Sequence, residues 1–374
     1  MKFVIAGGGT GGHLFPGIAI AEAFLERESA SKGLFVGTER GIEARVLAGG
    51  KFPLKMIHAM PIKGRSLSGK VKALWNLPGA FSEALSILKE FKPHIVLGVG
   101  GYASGPTLLA AFWLGSNRAI HEQNVIPGMT NRLLKWFSNR IFVSFEETRR
   151  YFPEKKTVVT GNPVRAEMAR FLSEGAGRRN GEGPFTLLIF GGSAGAHRIN
   201  QAVLEALDAL QAMKGSLKFI HQTGKEDVEH VSLEYRKRGF DALVKPFFED
   251  MATNYRLADL VICRAGATTL AELAVAGKPA ILIPYPYAAH GHQLKNARKL
   301  EALGAAKVVP EDELKGTVLS QNVLHLFTHG EELRSMEKAI QKVGRPRAAQ
   351  EIVDYCYGLV GEKGQRSAAT QRMG

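Results

Sequence analysis

The sequence predicts an α/β protein of two domains, each built on a parallel sheet, and three observations carry that expectation. Short apolar, β-rich runs recur, each followed by a turn and a helical pattern. Thr186–Phe190 is one, with Ile199, Val203, Leu204, Leu207 and Leu210 at helical spacing behind it. At three places such a run ends in a glycine turn that opens a helix: Gly7–Gly12, Gly98–Gly101 and Gly191–Gly192. The alternation stops in the glycine- and charge-rich stretch Ser173–Pro184 and then restarts. A length of 374 residues suits two domains of ordinary size.

Charge and cysteine content narrow the function. The net charge is +14, and residues 1–162 hold 21 Lys and Arg against 11 Glu and no Asp. Such asymmetry suits an anionic partner for the first half: nucleic acid, a phosphate-rich ligand or an anionic membrane surface. Simple solubility is the plain alternative. The two cysteines, Cys263 and Cys356, lie far apart, which fits a reducing compartment and neither a disulfide framework nor a zinc site. Met1–Ala6 runs straight into a glycine loop, as a first strand does and a signal peptide does not. No run of about 18 apolar residues occurs, so no membrane span is expected.

Taken in order, residues 3–6 are the first strand and Ile18–Leu25 the first helix. Gly7, Gly9 and Gly12 between them match G-x-G-x-x-G. The second strand, Leu34–Val36, ends near Glu39, where a nicotinamide enzyme would hold a ribose. Five glycines in six positions exceed what a dinucleotide turn requires and suggest a bare loop that something bulky approaches. His13 falls at the helix start, where an imidazole tends to stay neutral and suits a base; a capping or packing histidine is the alternative. Lys63, Arg65, Lys70 and Lys72 precede Leu74 and Trp75, and an amphipathic helix spans Phe81–Phe91. That segment is either a membrane-interface patch or a loop and a helix with an apolar core face. Ile95–Leu97 is a strand, followed by the second glycine turn and a helix over Thr107–Trp113. Arg118–His121 leads into Glu122, Gln123 and Asn124, a polar cluster at a strand end, where open α/β folds bind ligands. A helix over Gly128–Phe137 carries Arg132, Lys135 and Trp136, and strands follow at Ile141–Ser144 and Thr157–Thr160.

The third glycine turn leaves N–H groups and a helix dipole aimed at one spot, which suits a phosphate, with Ser193 as the cap. Strands then recur at Leu217–His221, Ala242–Lys245, Leu260–Cys263, Ala280–Pro284 and Ala306–Val309. Arg264–Glu272 repeats the strand, turn and helix arrangement, with Glu272 in the first helical turns. His290 and His292 could bind metal, but no third ligand is evident. Helices are expected over Glu332–Val343 and Arg347–Val360, with a polar, disordered tail from residue 361 to 374.

Six motifs occur together in this order: Gly8–His13, Gly98–Tyr102, His121–Asn124, Gly161–Arg165, Gly191–Ser193 and Cys263–Ala267. The ordered set covers nearly the whole chain and resembles the peptidoglycan N-acetylglucosaminyltransferases that convert lipid I to lipid II. The resemblance implies the GT-B architecture, two Rossmann-like domains facing across a cleft. These would be residues 1–162, with a helix at about 345–360 packing back on them, and residues 163–344. It implies inverting transfer of N-acetylglucosamine from UDP-GlcNAc to the muramoyl 4-hydroxyl of undecaprenyl-diphospho-MurNAc-pentapeptide, with no cofactor or catalytic metal. By motif, His13 would be the base, with Glu122 or His121 second. Ser193 would hold the diphosphate, Glu272 the ribose, and the backbone of Phe248 the uracil. Arg165, near the donor phosphates or the cleft hinge, Ala267 and Thr268 would complete the donor site with Thr10, Gly11, Gly12, Asn124 and Gln293. The first two glycine turns, with Gly100, Gly101 and Tyr102, would take the acceptor. A polyprenyl acceptor stays in the bilayer, so the basic, tryptophan-bearing first half would dock on the anionic cytoplasmic face of the cell membrane and would not bind nucleic acid. Two positions depart from the pattern: Ala194 stands where glutamine is usual, and the loop before Gln293 is histidine-rich. A UDP-N-acetylglucosamine epimerase on the same fold, a nicotinamide dehydrogenase and a non-catalytic UDP-sugar-binding scaffold are the alternatives.

Overall fold

Strands buried on both faces read as continuous apolar runs, and the central strands of both sheets are of this kind. The computed structural model describes residues 1–39, 42–60, 75–173, 183–192, 195–288 and 291–372. It divides into two units: Met1–Ala166 with Arg347–Gly374, and Glu167–Pro346.

In the first unit the strands are β1 (Lys2–Ala6), β2 (Lys32–Gly37), β3 (Leu54–Met56), β4 (Ile95–Gly98), β5 (Asn117–Glu122), β6 (Arg140–Val143) and β7 (Thr157–Val159). They lie parallel in the order β3-β2-β1-β4-β5-β6-β7. The helices are α1 (Gly11–Arg27), α2 (Glu43–Val46), α3 (Leu77–Phe91), α4 (Ser104–Trp113) and α5 (Met129–Leu134). Successive strand residues point to opposite faces. Phe3 and Ile5 therefore join a core with Phe24 of α1, while Val4 and Ala6 join another with Ala84 of α3 and Leu108 of α4. The first core is completed from the far end of the chain by Ala349, Ile352, Val353 and Cys356 of a closing helix, Ala348–Arg372.

The second unit repeats the plan with β8 (Phe185–Phe190), β9 (Leu217–Gln222), β10 (Asp241–Lys245), β11 (Leu260–Cys263), β12 (Ala280–Leu282) and β13 (Ala306–Val308). These are parallel in the order β10-β9-β8-β11-β12-β13. Its helices are α6 (Ala166–Ser173), α7 (His197–Ala206), α8 (Val228–Arg238), α9 (Met251–Leu257), α10 (Ala267–Ala276), α11 (His292–Ala302), α12 (Gly316–Thr328) and α13 (Gly330–Gln341).

Three differences from the sequence expectation have physical reasons. Helix α1 begins at Gly11 and carries Pro16 inside it, so the glycine run and the proline mask its first two turns. Strand β3 is short and half exposed, without an apolar run to mark it. The closing helix continues to Arg372, past the expected break at Gly361, because the residues beyond are mostly good helix formers.

Candidate active site

An open parallel sheet binds ligands beyond the carboxyl ends of its strands, where the strand order reverses. In the first unit that point lies between β1 and β4. The two glycine turns flank it and are pressed together backbone to backbone. A Cβ on Gly7 would stand 2.3 Å from the Gly100 oxygen, and one on Gly101, at φ +81°, 2.4 Å from the Gly8 oxygen. The Ser104 hydroxyl fastens the pair. It donates to the Ala6 carbonyl at 2.7 Å and accepts from the Gly100 N–H at 3.1 Å.

His13 is the third residue of α1 and stands over this crevice. Thr10, extended at the N-cap, places its hydroxyl 3.3 Å from His13 Nδ1. The imidazole lies along Gly100, where a Cβ would meet Cδ2 at 2.8 Å and Nε2 at 2.9 Å. Gly11 and Gly12 are the first helical residues, and Tyr102 is exposed beside Gly9. Arg165 lies with its guanidinium 5.8 Å from the centre of the Phe15 ring of α1.

Glu122, expected as the second catalytic candidate, is held by hydrogen bonds on both carboxylate oxygens. It is buried at the end of β5, and both oxygens are taken. Oε1 accepts from the Asn124 backbone N–H at 3.0 Å and from Asn124 Nδ2 at 3.1 Å; Oε2 accepts from Gly128 N at 3.0 Å and Asn131 Nδ2 at 2.9 Å. Burial raises its pKa and these four donors oppose the rise. Glu122 therefore shapes the β5–α5 loop and fixes Asn124. His121 is likewise occupied. Its Nε2–H donates to the Gly161 carbonyl at 3.1 Å, and its Nδ1 accepts from Gln123 Nε2 at 3.2 Å. The Gln123 amide also donates to the Val99 carbonyl at 2.8 Å, tying this loop to the second glycine turn. Sequence reasoning missed Glu43 of α2, a buried carboxylate packed over Gly8, where a Cβ would meet Oε1 at 2.0 Å. Helix α2 has four residues, too few to show a period.

In the second unit the order reverses between β8 and β11. Gly191 and Gly192 leave β8 and α7 begins at His197, while Ser193 and Ala194 lie outside the described residues. Helix α10 opens with Ala267 and Thr268 behind an extended Gly266. On its second turn the buried Glu272 accepts from the Tyr255 hydroxyl at 3.3 Å. Phe248 is buried, and its backbone N–H is given to Gln222 Oε1 at 2.8 Å. Gln222 also donates to the Gly192 carbonyl at 2.9 Å. It thus locks the glycine turn to the Phe248 loop, a role that a lone glutamine at a strand end does not announce. Gln293 Oε1 accepts from the Tyr285 N–H at 2.9 Å. Arg264 is spent within the unit, paired with Glu311 and stacked 5.3 Å from the Tyr285 ring centre. His290 lies outside the described residues, and among those described no three His, Cys, Asp or Glu side chains converge on a metal-binding set.

Among the described residues, each unit buries a histidine that is neutral. Burial lowers the pKa of His121 to about 4 and that of His221 to about 3. The unfolded chain binds protons at both below about pH 6.5, so stability present above that pH is lost as pH falls toward the folded values. The loss is about 2 kcal/mol per histidine at about pH 5. Urea midpoints should fall accordingly between about pH 7.5 and 5, and His121→Asn should flatten the slope by about half.

Comparison with known proteins gives the family. The N-terminal domain model of glycosyltransferase family 28 matches residues 3–143, and the C-terminal domain model matches residues 186–352. A Geobacter sulfurreducens protein is 51% identical over 354 residues, covering 95% of this chain and 97% of its own. It is named UDP-N-acetylglucosamine–N-acetylmuramyl-(pentapeptide) pyrophosphoryl-undecaprenol N-acetylglucosamine transferase. A Myxococcus xanthus protein of the same name is 50% identical, over 96% of this chain and 93% of its own. The crystal structure of Acinetobacter baumannii MurG matches with a TM-score of 0.78 at 32% identity, over 96% of this chain and 99% of that one. A UDP-GlcNAc 2-epimerase from Neisseria meningitidis, bound to UDP-GlcNAc, matches over 96% of this chain and all of its own with a TM-score of 0.66, but at 16% identity it shares only the fold. With two Rossmann-like parallel-sheet domains, matches to both family models and half its residues shared with such relatives, the chain belongs to glycosyltransferase family 28.

Proposed function

We propose that this chain transfers N-acetylglucosamine from UDP-GlcNAc to the muramoyl 4-hydroxyl of undecaprenyl-diphospho-MurNAc-pentapeptide, with inversion at the anomeric carbon. The carrying observation is about 50% identity, over nearly full length, to proteins named for that transfer. The acceptor oxygen bonds to the anomeric carbon as the bond from that carbon to UDP breaks, and the hydroxyl proton passes to His13 Nε2. The departing diphosphate gains charge that the N–H groups at the start of α7 stabilise, with Glu272 on the ribose and the Phe248 carbonyl on the uracil. Thr10, Asn124 and Gln293 line the donor sugar, and Gly100, Gly101 and Tyr102 hold the acceptor. Purified protein given radiolabelled UDP-GlcNAc and a lipid I analogue should move label into lipid with EDTA present. An unlabelled lipid overturns the proposal, and UDP-ManNAc formed from donor alone would favour the epimerase alternative.

The same reading places the enzyme on an anionic membrane. All three tryptophans of the chain are exposed in the first unit: Trp75 at 81%, Trp113 at 75% and Trp136 at 67%. Leu133 is exposed beside Trp136, and the Lys135 ammonium lies 5.0 Å from the Trp136 ring centre. Exposed apolar rings flanked by cations suit an interfacial patch. The basic residues Lys63, Arg65, Lys70 and Lys72 lie outside the described residues. Among those described, no helix is long and apolar enough to cross a membrane. Replacing Trp113 and Trp136 together by alanine should weaken binding to anionic vesicles by about tenfold or more, and raised salt should weaken it further. Unchanged partitioning would rule the patch out.

A further inference from the structure

Beneath the start of α7 runs a continuous chain of hydrogen bonds that the transfer itself does not use. It passes through Tyr235 of α8, His221 of β9, Asn200 and His197 of α7, and Asp227 in the loop before α8. Chemistry fixes the direction of each bond. Asn200 Nδ2 donates to the Thr223 carbonyl at 2.9 Å and to Asp227 Oδ2 at 2.6 Å, which uses both its hydrogens. Asn200 Oδ1 must then accept, and the His221 Nε2–H gives to it at 3.0 Å. His221 is neutral in its buried setting, so its Nδ1 accepts the Tyr235 hydroxyl proton at 3.1 Å. At the other end both Asp227 oxygens accept from His197 Nδ1–H, at 2.9 and 3.0 Å. Burial works against ionisation of Asp227, but the bonds from Asn200 and His197 outweigh it and lower its pKa; His230 adds a further cationic influence.

Both arms of the carboxylate end on the first turn of α7, of which His197 is the first residue and Asn200 the fourth. The turn is also braced from the loop side. Gly195 is pressed on the Thr223 carbonyl so closely that a Cβ would stand 2.1 Å from its oxygen. Helix ends are prone to fray, and a loop-borne phosphate cradle is worth most when its N–H groups need no reorganisation. Asn200, His221 and Tyr235 are buried, so the Asn200 arm is anchored in the core, while the His197 arm lies at the surface.

We propose that Asp227 is a positioning residue for the donor diphosphate: through His197 and Asn200 it holds the N–H groups at the start of α7 in the direction the phosphates require. This rests on the donor assignment made above. The test compares UDP with uridine, which carries the same base and ribose without the diphosphate, each measured by competition against UDP-GlcNAc on the full chain. Asp227→Ala should weaken UDP about tenfold and leave uridine within about twofold, with KM for UDP-GlcNAc rising more than kcat falls. His197→Ala removes one arm at an exposed side chain with little risk to folding, and should weaken UDP by a few-fold. His197→Asn, whose amide nitrogen sits about where Nδ1 does, should restore it. Equal weakening of UDP and uridine, or no change in either, overturns the clamp and leaves the donor site standing. An unsubstituted chain that binds no UDP overturns the donor site and the clamp together.

Discussion

Replacing His13 by alanine should lower turnover by about 10²- to 10⁴-fold while UDP affinity stays within about twofold. Among the described residues, His13 is the imidazole that lies along the rim of the first unit's glycine crevice. His121 gives one ring nitrogen to Gly161 and the other to Gln123. Glu122, the other candidate, accepts four N–H donors and has no lone pair aimed outward. By contrast, the His13 ring lies on the rim formed by Gly100, oriented at Nδ1 by the Thr10 hydroxyl. A proton acceptor lost from the reacting hydroxyl removes a contribution made only in the transition state, so kcat should carry the whole loss. Single-turnover transfer to a lipid I analogue, beside UDP titration, measures both quantities. Near-normal turnover in His13→Ala would end its role as base. Glu122→Gln separates the two carboxylate roles. It places an NH2 against two N–H donors, so it should cost roughly 2–4 kcal/mol of stability.

The second large effect is expected from Gly101→Ala. At φ +81° an L side chain is already strained, and the new methyl would be driven to 2.4 Å from the Gly8 oxygen. Because the obstacle is backbone, the two turns must separate. That displaces the first turn of α1 and His13 with it. A loss of about 2 kcal/mol or more in stability and at least about 100-fold in transfer is expected, with UDP affinity intact. Gly79→Ala, which meets nothing within 4 Å, is the matched control and should leave transfer unchanged. Urea unfolding with the transfer assay reads both effects, and wild-type transfer in Gly101→Ala would mean that the turns move freely.

Much of this was legible in the chain. Buried parallel strands such as Leu260–Cys263 declare themselves because both faces must be apolar, and that strand coincides with its expected bounds. The glycine turns were visible because close backbone approach excludes every other residue type. The residues that hold those turns were not. Ser104, Gln222, Asn200 and Asp227 act through one or two hydrogen bonds to atoms distant in sequence, and no periodicity or spacing marks such a partner. Glu122 shows the same limit from the other side. A carboxylate at a strand end reads as chemistry until its four donors, brought by the β5–α5 loop, are seen to occupy it. Helices α8 and α9 escaped notice for a different reason: each buries only part of one face, so the apolar positions are sparse.

The closing helix joins a core begun some three hundred residues earlier. Ile352, Val353 and Cys356 are packed with Phe3 and Phe24, Tyr357 donates to Glu28 at 2.6 Å, and the Arg27 guanidinium lies 4.2 Å from the Tyr357 ring centre. On a ribosome the first sheet therefore emerges with one face unfinished. All of Glu167–Pro346 must be made before the cover arrives, a wait of about 10 to 40 s at roughly 5–20 residues per second. The second unit, continuous in sequence, is free to fold during that interval, so the order of synthesis and the order of completion are reversed. Until release, the bare face around Phe3 and Phe24 is the part of the nascent chain most in need of a chaperone.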